Sequence, residues 1–407
     1  MTYYLLPRTN MYLFKNIEYT DSVGKSQSII ISNSLANYLY KMKEKIDDCE
    51  HQWNIFKKYT NPYEFIHSVI PFRKKCISKQ KPLSRSYFKM IELCDMFNLI
   101  PNSNEQFVTF HLAEGPGGFI EAIARLRTTN FADVSKNDKY YGMTLLDSKE
   151  DTNIPSWKKS ANFLKEYENN IILENGIDGT GDILKLENFY HVSHKYASSM
   201  NIVTADGGFD FSIDFNQQEI MIGKLLFAQI AYALCIQKKG GTFILKIFDC
   251  FMQHTVDLLE LLASFYERVY IVKPQTSRYA NSEKYIVCIG FLHKNSRDFY
   301  YYLYECFKNM CNFNESSCFR FLKSQTNYGF IQKLEEYNAI FGQKQIQNIQ
   351  YTYSLMNNKV KYEKIDLLIK TNIKKSIDWC IKHHIPYNKF VVNSVNMFNS
   401  NNIDNEE

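Results

Sequence analysis

The chain has 407 residues, 45% hydrophobic and 15% aromatic, enough to bury a full core with additions around it. Lysine and arginine number 48 against 43 acidic residues, a net charge of +5, so a nucleic-acid surface would have to be local rather than global. No apolar run of about 18 residues occurs, and the start, MTYYLLPRTN, lacks the layout of a signal peptide; both features suggest a soluble intracellular protein.

The ten cysteines contain no C-x-x-C pair and read as reduced, mostly buried thiols. Cys306, Cys311 and Cys318 lie closest together, without a histidine at zinc-ligand spacing.

Residues 1–75 read as a mixed N-terminal extension, with a helix near 34–49 and an aromatic segment near 53–65. From Lys57 to Lys89 the charge becomes one-sided. Lys57, Lys58, Arg73, Lys74, Lys75, Lys79, Lys81, Arg85 and Lys89 face the single acid Glu64. Such a stretch is either a solvated basic face or, with Tyr and Phe interleaved, a seat for a phosphate backbone. Pro82-Leu83-Ser84 opens an amphipathic helix with Tyr87, Met90, Ile91, Cys94 and Phe97 as its apolar stripe and Lys89 beside it.

Residues 107–112 form a β-branched and aromatic run long enough for a buried strand. Glu114-Gly115-Pro116-Gly117-Gly118 breaks it, and helical spacing resumes at Phe119. This strand, glycine turn and helix is the first unit of a doubly wound sheet. The glycines do not match G-x-G-x-x-G, so the turn alone reads equally as a tight turn or a cofactor loop.

Strands are expected at 140–146, 170–173 and 200–204, with a polar loop at 147–159 and a glycine-rich turn at 176–184 that contains Asp182. A long helix follows at 217–239, closed by Gly240-Gly241. The next elements are a strand at 242–248, a helix at 255–266 and strands at 269–272 and 285–291. The order implies an α/β sheet whose last strand, joined by a loop rather than a helix, runs antiparallel. Residues 296–407 read as a helical accessory region ending in a polar, disordered tail, SNNIDNEE.

Ligands of open α/β sheets bind beyond the carboxyl ends of the parallel strands. Asp206 follows one such strand, Lys246 lies near the end of another, and Glu283 precedes the antiparallel strand, which starts on the same edge. A lysine between Leu245 and Ile247 is costly unless paired, so the three are expected to converge.

The stretches SRSYFKMIEL, HLAEGPGGFIEAI, GTGDIL, TADGGFD, GGTFILKIFD and KPQTSRYANSEKYIVCIGF then resemble, in order and over residues 82–292, the FtsJ-like RNA 2′-O-methyltransferases. The resemblance is closest to their cap-specific branch, including versions carried by large cytoplasmic DNA viruses. It implies a Rossmann-like methyltransferase sheet over residues 76–295 and a Lys-Asp-Lys-Glu tetrad of Lys89, Asp206, Lys246 and Glu283. It also implies S-adenosyl-L-methionine as cofactor, held by Glu114, Gly115, Pro116, Gly117, Gly118 and Phe119, with Asp182 at the adenine, Asp147 at the ribose and Asp206 near the donor.

The implied substrate is the first transcribed nucleotide of capped mRNA, and the implied setting is cytoplasmic, beside capping or transcription proteins and away from membranes. Ribosomal or other RNA is the alternative substrate. A non-catalytic RNA-binding subunit that keeps the fold is the alternative class. Within the family reading Lys246 is the base. A lysine titrating near 10.4 in water needs a bias of about 3–4 kcal/mol to act near neutrality. Asp206 and Glu283 would orient the two lysines, and Lys89 would stabilise the developing alkoxide. The chemistry requires no metal.

Overall fold

The apolar runs in the middle of the chain hydrogen-bond into one sheet. The computed structural model describes residues 2–21, 31–101, 105–146, 155–208, 215–312, 318–358 and 361–389. Their strands, in chain order, are β1 (Thr2–Leu5), β2 (Ile17–Asp21), β3 (Val108–Leu112), β4 (Lys139–Met143), β5 (Ile171–Leu173), β6 (Met200–Ala205), β7 (Gln237–Ile247), β8 (Tyr266–Lys273), β9 (Lys284–Phe291) and β10 (Cys318–Leu322).

Eight of these form the main sheet in the order β1-β8-β9-β7-β6-β3-β4-β5. The run from β5 through β4, β3 and β6 to β7 is parallel. As expected from its helix-free connection, β9 is antiparallel to both β7 and β8. Helices flank the strands, and the architecture is a Rossmann-like methyltransferase sheet. The helix Gln218–Ile236 is apolar all round and long enough to cross a membrane by composition; here it is a buried core helix packed against β6 and β7.

One turn is corrected. Gly240-Gly241 does not close the long helix, which ends at Ile236 and passes directly into β7. The register jumps from Met200↔Gln237 to Ile202↔Thr242, and Gly240, with φ +79°, sits inside that bulge.

The described residues fall into two units. The first draws on Met1–Tyr40, Leu83–Ser277 and Ser282–Gly342, the second on Lys41–Pro82, Arg278–Asn281 and Gln343–Glu407. Both flanks of the chain therefore contribute to the unit that holds the sheet. Strand β1 pairs antiparallel with β8 and covers an edge that would otherwise be bare. Strands β2 and β10 pair in a second, two-stranded sheet, although residues beyond 296 read as purely helical. Buried Asp257 anchors β10: its carboxylate accepts from the Phe321 and Leu322 N–H groups at 3.0 and 3.2 Å and pairs with Arg320 at 2.9 Å. A partner 63 residues away cannot be seen in local periodicity.

Within the second unit, Glu64 is buried and takes Arg278 at 2.7 and 3.0 Å. It therefore does not offset the basic stretch at the surface, where Lys58, Lys74, Lys75, Lys79 and Lys81 are exposed. The polar tail expected to be disordered lies outside the described residues.

Candidate active site

The site starts from a close helix–helix approach. Gly118 opens the helix Gly118–Asn130, and a Cβ there would lie 2.1 Å from Ser86 Oγ, 2.2 Å from Ser84 Oγ and 3.1 Å from the Tyr87 backbone nitrogen. The missing side chain lets the start of the helix Ser86–Phe97 dock. Glu121 holds the same junction by accepting from the Leu83 N–H at 2.8 Å. Buried Glu92 ties the helix to the segment after β8, accepting from the Gln275 and Thr276 N–H groups at 2.6 and 3.2 Å. Lys89, between these anchors, is directed at Glu283 and is 6% exposed.

The four tetrad residues come together as two ion pairs. Lys89 Nζ lies 2.7 and 2.9 Å from the two Glu283 carboxylate oxygens. Lys246 Nζ lies 3.3 Å from Asp206 Oδ1 and donates to the Asp206 carbonyl at 2.6 Å. Burial pushes the Lys89 ammonium below its ordinary value, with Arg85 adding to that push and Glu283 and Asp206 opposing it. Burial alone would raise Glu283, but the ammonium groups of Lys89 and Lys246 outweigh it and hold this carboxyl well below the usual carboxylate range.

Three further residues complete the cluster, and none was expected from sequence. The buried Tyr285 hydroxyl stands 3.3 Å from Asp206 Oδ1 and 3.5 Å from Glu283 Oε1, joining the two pairs. Ser277 Oγ donates to Glu283 Oε1 at 3.0 Å, and Lys273 Nζ donates to the Glu283 carbonyl at 2.9 Å. Burial, aided by the Lys284 ammonium, pushes Lys273 down to about 7 against the pull of Glu283 and Asp249. The available signal for Tyr285 was its position: it shares a strand face with Glu283 two residues earlier and is the cross-strand partner of Lys246.

The glycine turn lies at the end of β3, next to the end of β6. Glu114 Oε1 accepts from the Phe119 and Ile120 N–H groups at 2.6 and 3.1 Å, capping the helix. Its Oε2 is buried and has no hydrogen-bond partner. Burial, with Asp206 nearby, pushes Glu114 well above the ordinary range, against the two backbone N–H groups and Lys246. Gly117 has φ +110°, which favours glycine.

Part of the bare backbone is used by the protein itself. A Cβ on Gly115 would lie 2.6 Å from the Ser156 carbonyl, and one on Gly117 would lie 3.3 Å from the Trp157 ring. Ser160 Oγ donates to the Pro116 carbonyl at 2.5 Å. Phe119 is fully buried, its ring 5.8 Å from that of Tyr285, so its side chain joins the turn to the tetrad. Asp182 is half-buried, and its Oδ1 accepts from the Leu184 N–H at 2.9 Å. Its turn packs on the end of the second parallel strand, with Leu146 N–H donating to the Thr180 carbonyl at 2.8 Å. Asp147 lies outside the described residues.

A glycine turn and a lysine–carboxylate cluster on the carboxyl edge of a parallel sheet define a group-transfer site. Residues 82–291, just over half the chain, match the family model described as FtsJ-like methyltransferase, and the chain belongs to that family.

Among curated proteins, it is similar to cap-specific mRNA (nucleoside-2′-O-)-methyltransferase 1 of Dictyostelium discoideum, 31% identical over 278 residues and covering 64% of this chain and 35% of the relative. The protein of the same name from Trypanosoma cruzi is 38% identical over 183 residues, covering 44% and 46%. The human one is 33% identical over 239 residues, covering 56% and 27%. The chain thus spans between about a quarter and a half of the length of these relatives.

Proposed function

We propose that the protein transfers a methyl group from S-adenosyl-L-methionine to a ribose 2′-hydroxyl of RNA, at the first transcribed nucleotide of capped mRNA. The observation that carries this reading is the pairing of Lys246 with Asp206 and Lys89 with Glu283 around the Tyr285 hydroxyl, beside the glycine turn. The names of the curated relatives support the cap as the substrate feature.

The residues fit the cofactor. Glu114 Oε2 is a buried polar atom without a partner at the end of β3, where a polar ligand would supply one. Glu114, the turn backbone and Asp182 would hold the cofactor, with Asp147 a further contact. When bound, S-adenosylmethionine supplies an electrophilic methyl group on a sulfonium.

The chain's own residues do the rest. Asp206, through its carbonyl and carboxylate, aims Lys246 Nζ at the edge of the sheet, where it takes the proton of the attacking hydroxyl. Lys89, fixed by Glu283, places positive charge where the oxygen becomes anionic. Tyr285 and Ser277 hold the carboxylates in register. The exposed lysines of the basic stretch are suited to RNA phosphates.

The test is methylation of matched capped and uncapped transcripts, followed by mapping of the modified nucleotide. Methyl groups should appear at the first nucleotide of capped RNA only. Lys246→Ala should lose at least about a hundredfold in rate while binding the cofactor normally. Equal labelling of both transcripts would remove the cap assignment, and an active Lys246→Ala would remove the base.

A further inference from the structure

We propose that Glu114, with Asp206 beside it, is the seat of the α-ammonium group of the methyl donor. The inference rests on the S-adenosylmethionine reading above and specifies one end of that ligand. Glu114 is pinned: Oε1 is occupied by the Phe119 and Ile120 N–H groups, so the carboxyl group cannot swing away. Its Oε2 is buried without a partner, in a residue only 4% exposed.

The strand ends place Asp206 close by. Asp206 N–H donates to the Leu112 carbonyl at 3.4 Å, and a Cβ on Gly207 would lie 3.0 Å from that of Ala113. The charged groups facing Glu114 are Asp206, which opposes its ionisation, and Lys246, which favours it but already pairs with Asp206. Two carboxyl groups at one buried point call for a cation between them. An α-ammonium group has that charge and donates the hydrogen bond that Oε2 lacks.

A proton must move if this is right. In the free protein, burial and Asp206 keep Glu114 neutral. An ammonium at Oε2 favours the carboxylate, so the carboxyl proton leaves to solvent while the ligand keeps all of its own. Release occurs between the lowered bound-state value and the raised free-state value, and affinity rises with pH across that window. A donor carboxylate at the same atom would instead keep Glu114 protonated. A purely capping role would leave its protonation unchanged.

Calorimetric titration of the full chain in buffers of different ionisation enthalpy separates these outcomes. S-adenosylmethionine and S-adenosylhomocysteine are both titrated, since the second keeps the ammonium and lacks the sulfonium charge. Near neutral pH each should release up to one proton per site. Glu114→Gln, which keeps the Oε1 acceptor, should release none and bind about tenfold or more weakly. Tight binding without release, proton uptake, or release with the sulfonium ligand alone would overturn the assignment. Failure of both ligands to bind the wild-type protein would overturn the cofactor reading itself. If Glu114→Gln does not fold, the two wild-type titrations still decide.

Discussion

Replacing Lys89 with methionine keeps most of the side-chain volume and removes the ammonium that lies 2.7 and 2.9 Å from Glu283. At an effective dielectric of about 20, charges at the shorter distance attract by about 6 kcal/mol. Dehydrating each ion opposes this by several kcal/mol, so the intact pair is near neutral for stability, while one partner left alone is costly. In Lys89→Met, Glu283 keeps the Ser277 and Tyr285 hydroxyls and the more distant attraction of Lys246, which places the loss near the lower end of the usual range, about 3 kcal/mol. Glu283→Gln should cost less, about 2 kcal/mol, because burial already favours the uncharged form of Lys89.

The double variant contains no unpaired charge and should also lose only about 2 kcal/mol, leaving a coupling of about 3 kcal/mol. Urea unfolding of the four proteins at pH 7 measures this cycle, and a methyl-transfer assay on the same samples should find all three variants inactive. Single losses that add to within about 0.5 kcal/mol would refute the buried-pair reasoning. An active double variant would refute the functional role of the pair.

Tyr285→Phe removes the hydroxyl between Asp206 and Glu283 and should lower kcat about tenfold with KM little changed; a change confined to KM would place the residue elsewhere. Gly118→Ala puts a Cβ against two serine hydroxyls and the Tyr87 backbone and should destabilise by about 1–3 kcal/mol in thermal or urea unfolding; an unchanged midpoint would show that the two helices can separate freely. Stability should also follow the shifted groups in pH. Glu283, held low in the fold, contributes stability that is full above the unfolded carboxylate range near pH 4.3 and is lost as pH falls toward its lowered value. Lys273, lowered to about 7, binds its proton less tightly folded than unfolded, so stability should rise between about pH 7 and pH 10. Unfolding midpoints across both ranges, with Glu283→Gln and Lys273→Met as controls, test these signs.

Much of the frame is local and therefore readable from sequence. Alternating apolar residues mark β3 and β6, a loop in place of a helix before β9 dictates its direction, and a lysine inside TFILKIF signals a pairing need. Those features suffice to place Asp206, Lys246 and Glu283 on one edge, and the motif SRSYFK adds Lys89 through family resemblance. What the tertiary structure decided is who touches whom across long separations. The Lys89–Glu283 pair spans 194 residues, and Gly118 proves to be a docking point for the Ser84–Ser86 hydroxyls as well as part of a glycine turn. Strand β1, the β2–β10 pair and the Gly240 bulge likewise follow from edges and register, which exist only once the sheet is assembled. The glycine turn could be read from sequence as a cofactor loop; that Glu114 within it keeps a buried oxygen unsatisfied depends on the helix that occupies the other one. Periodicity is set by neighbours along the chain, whereas desolvation and pairing are set by neighbours in space.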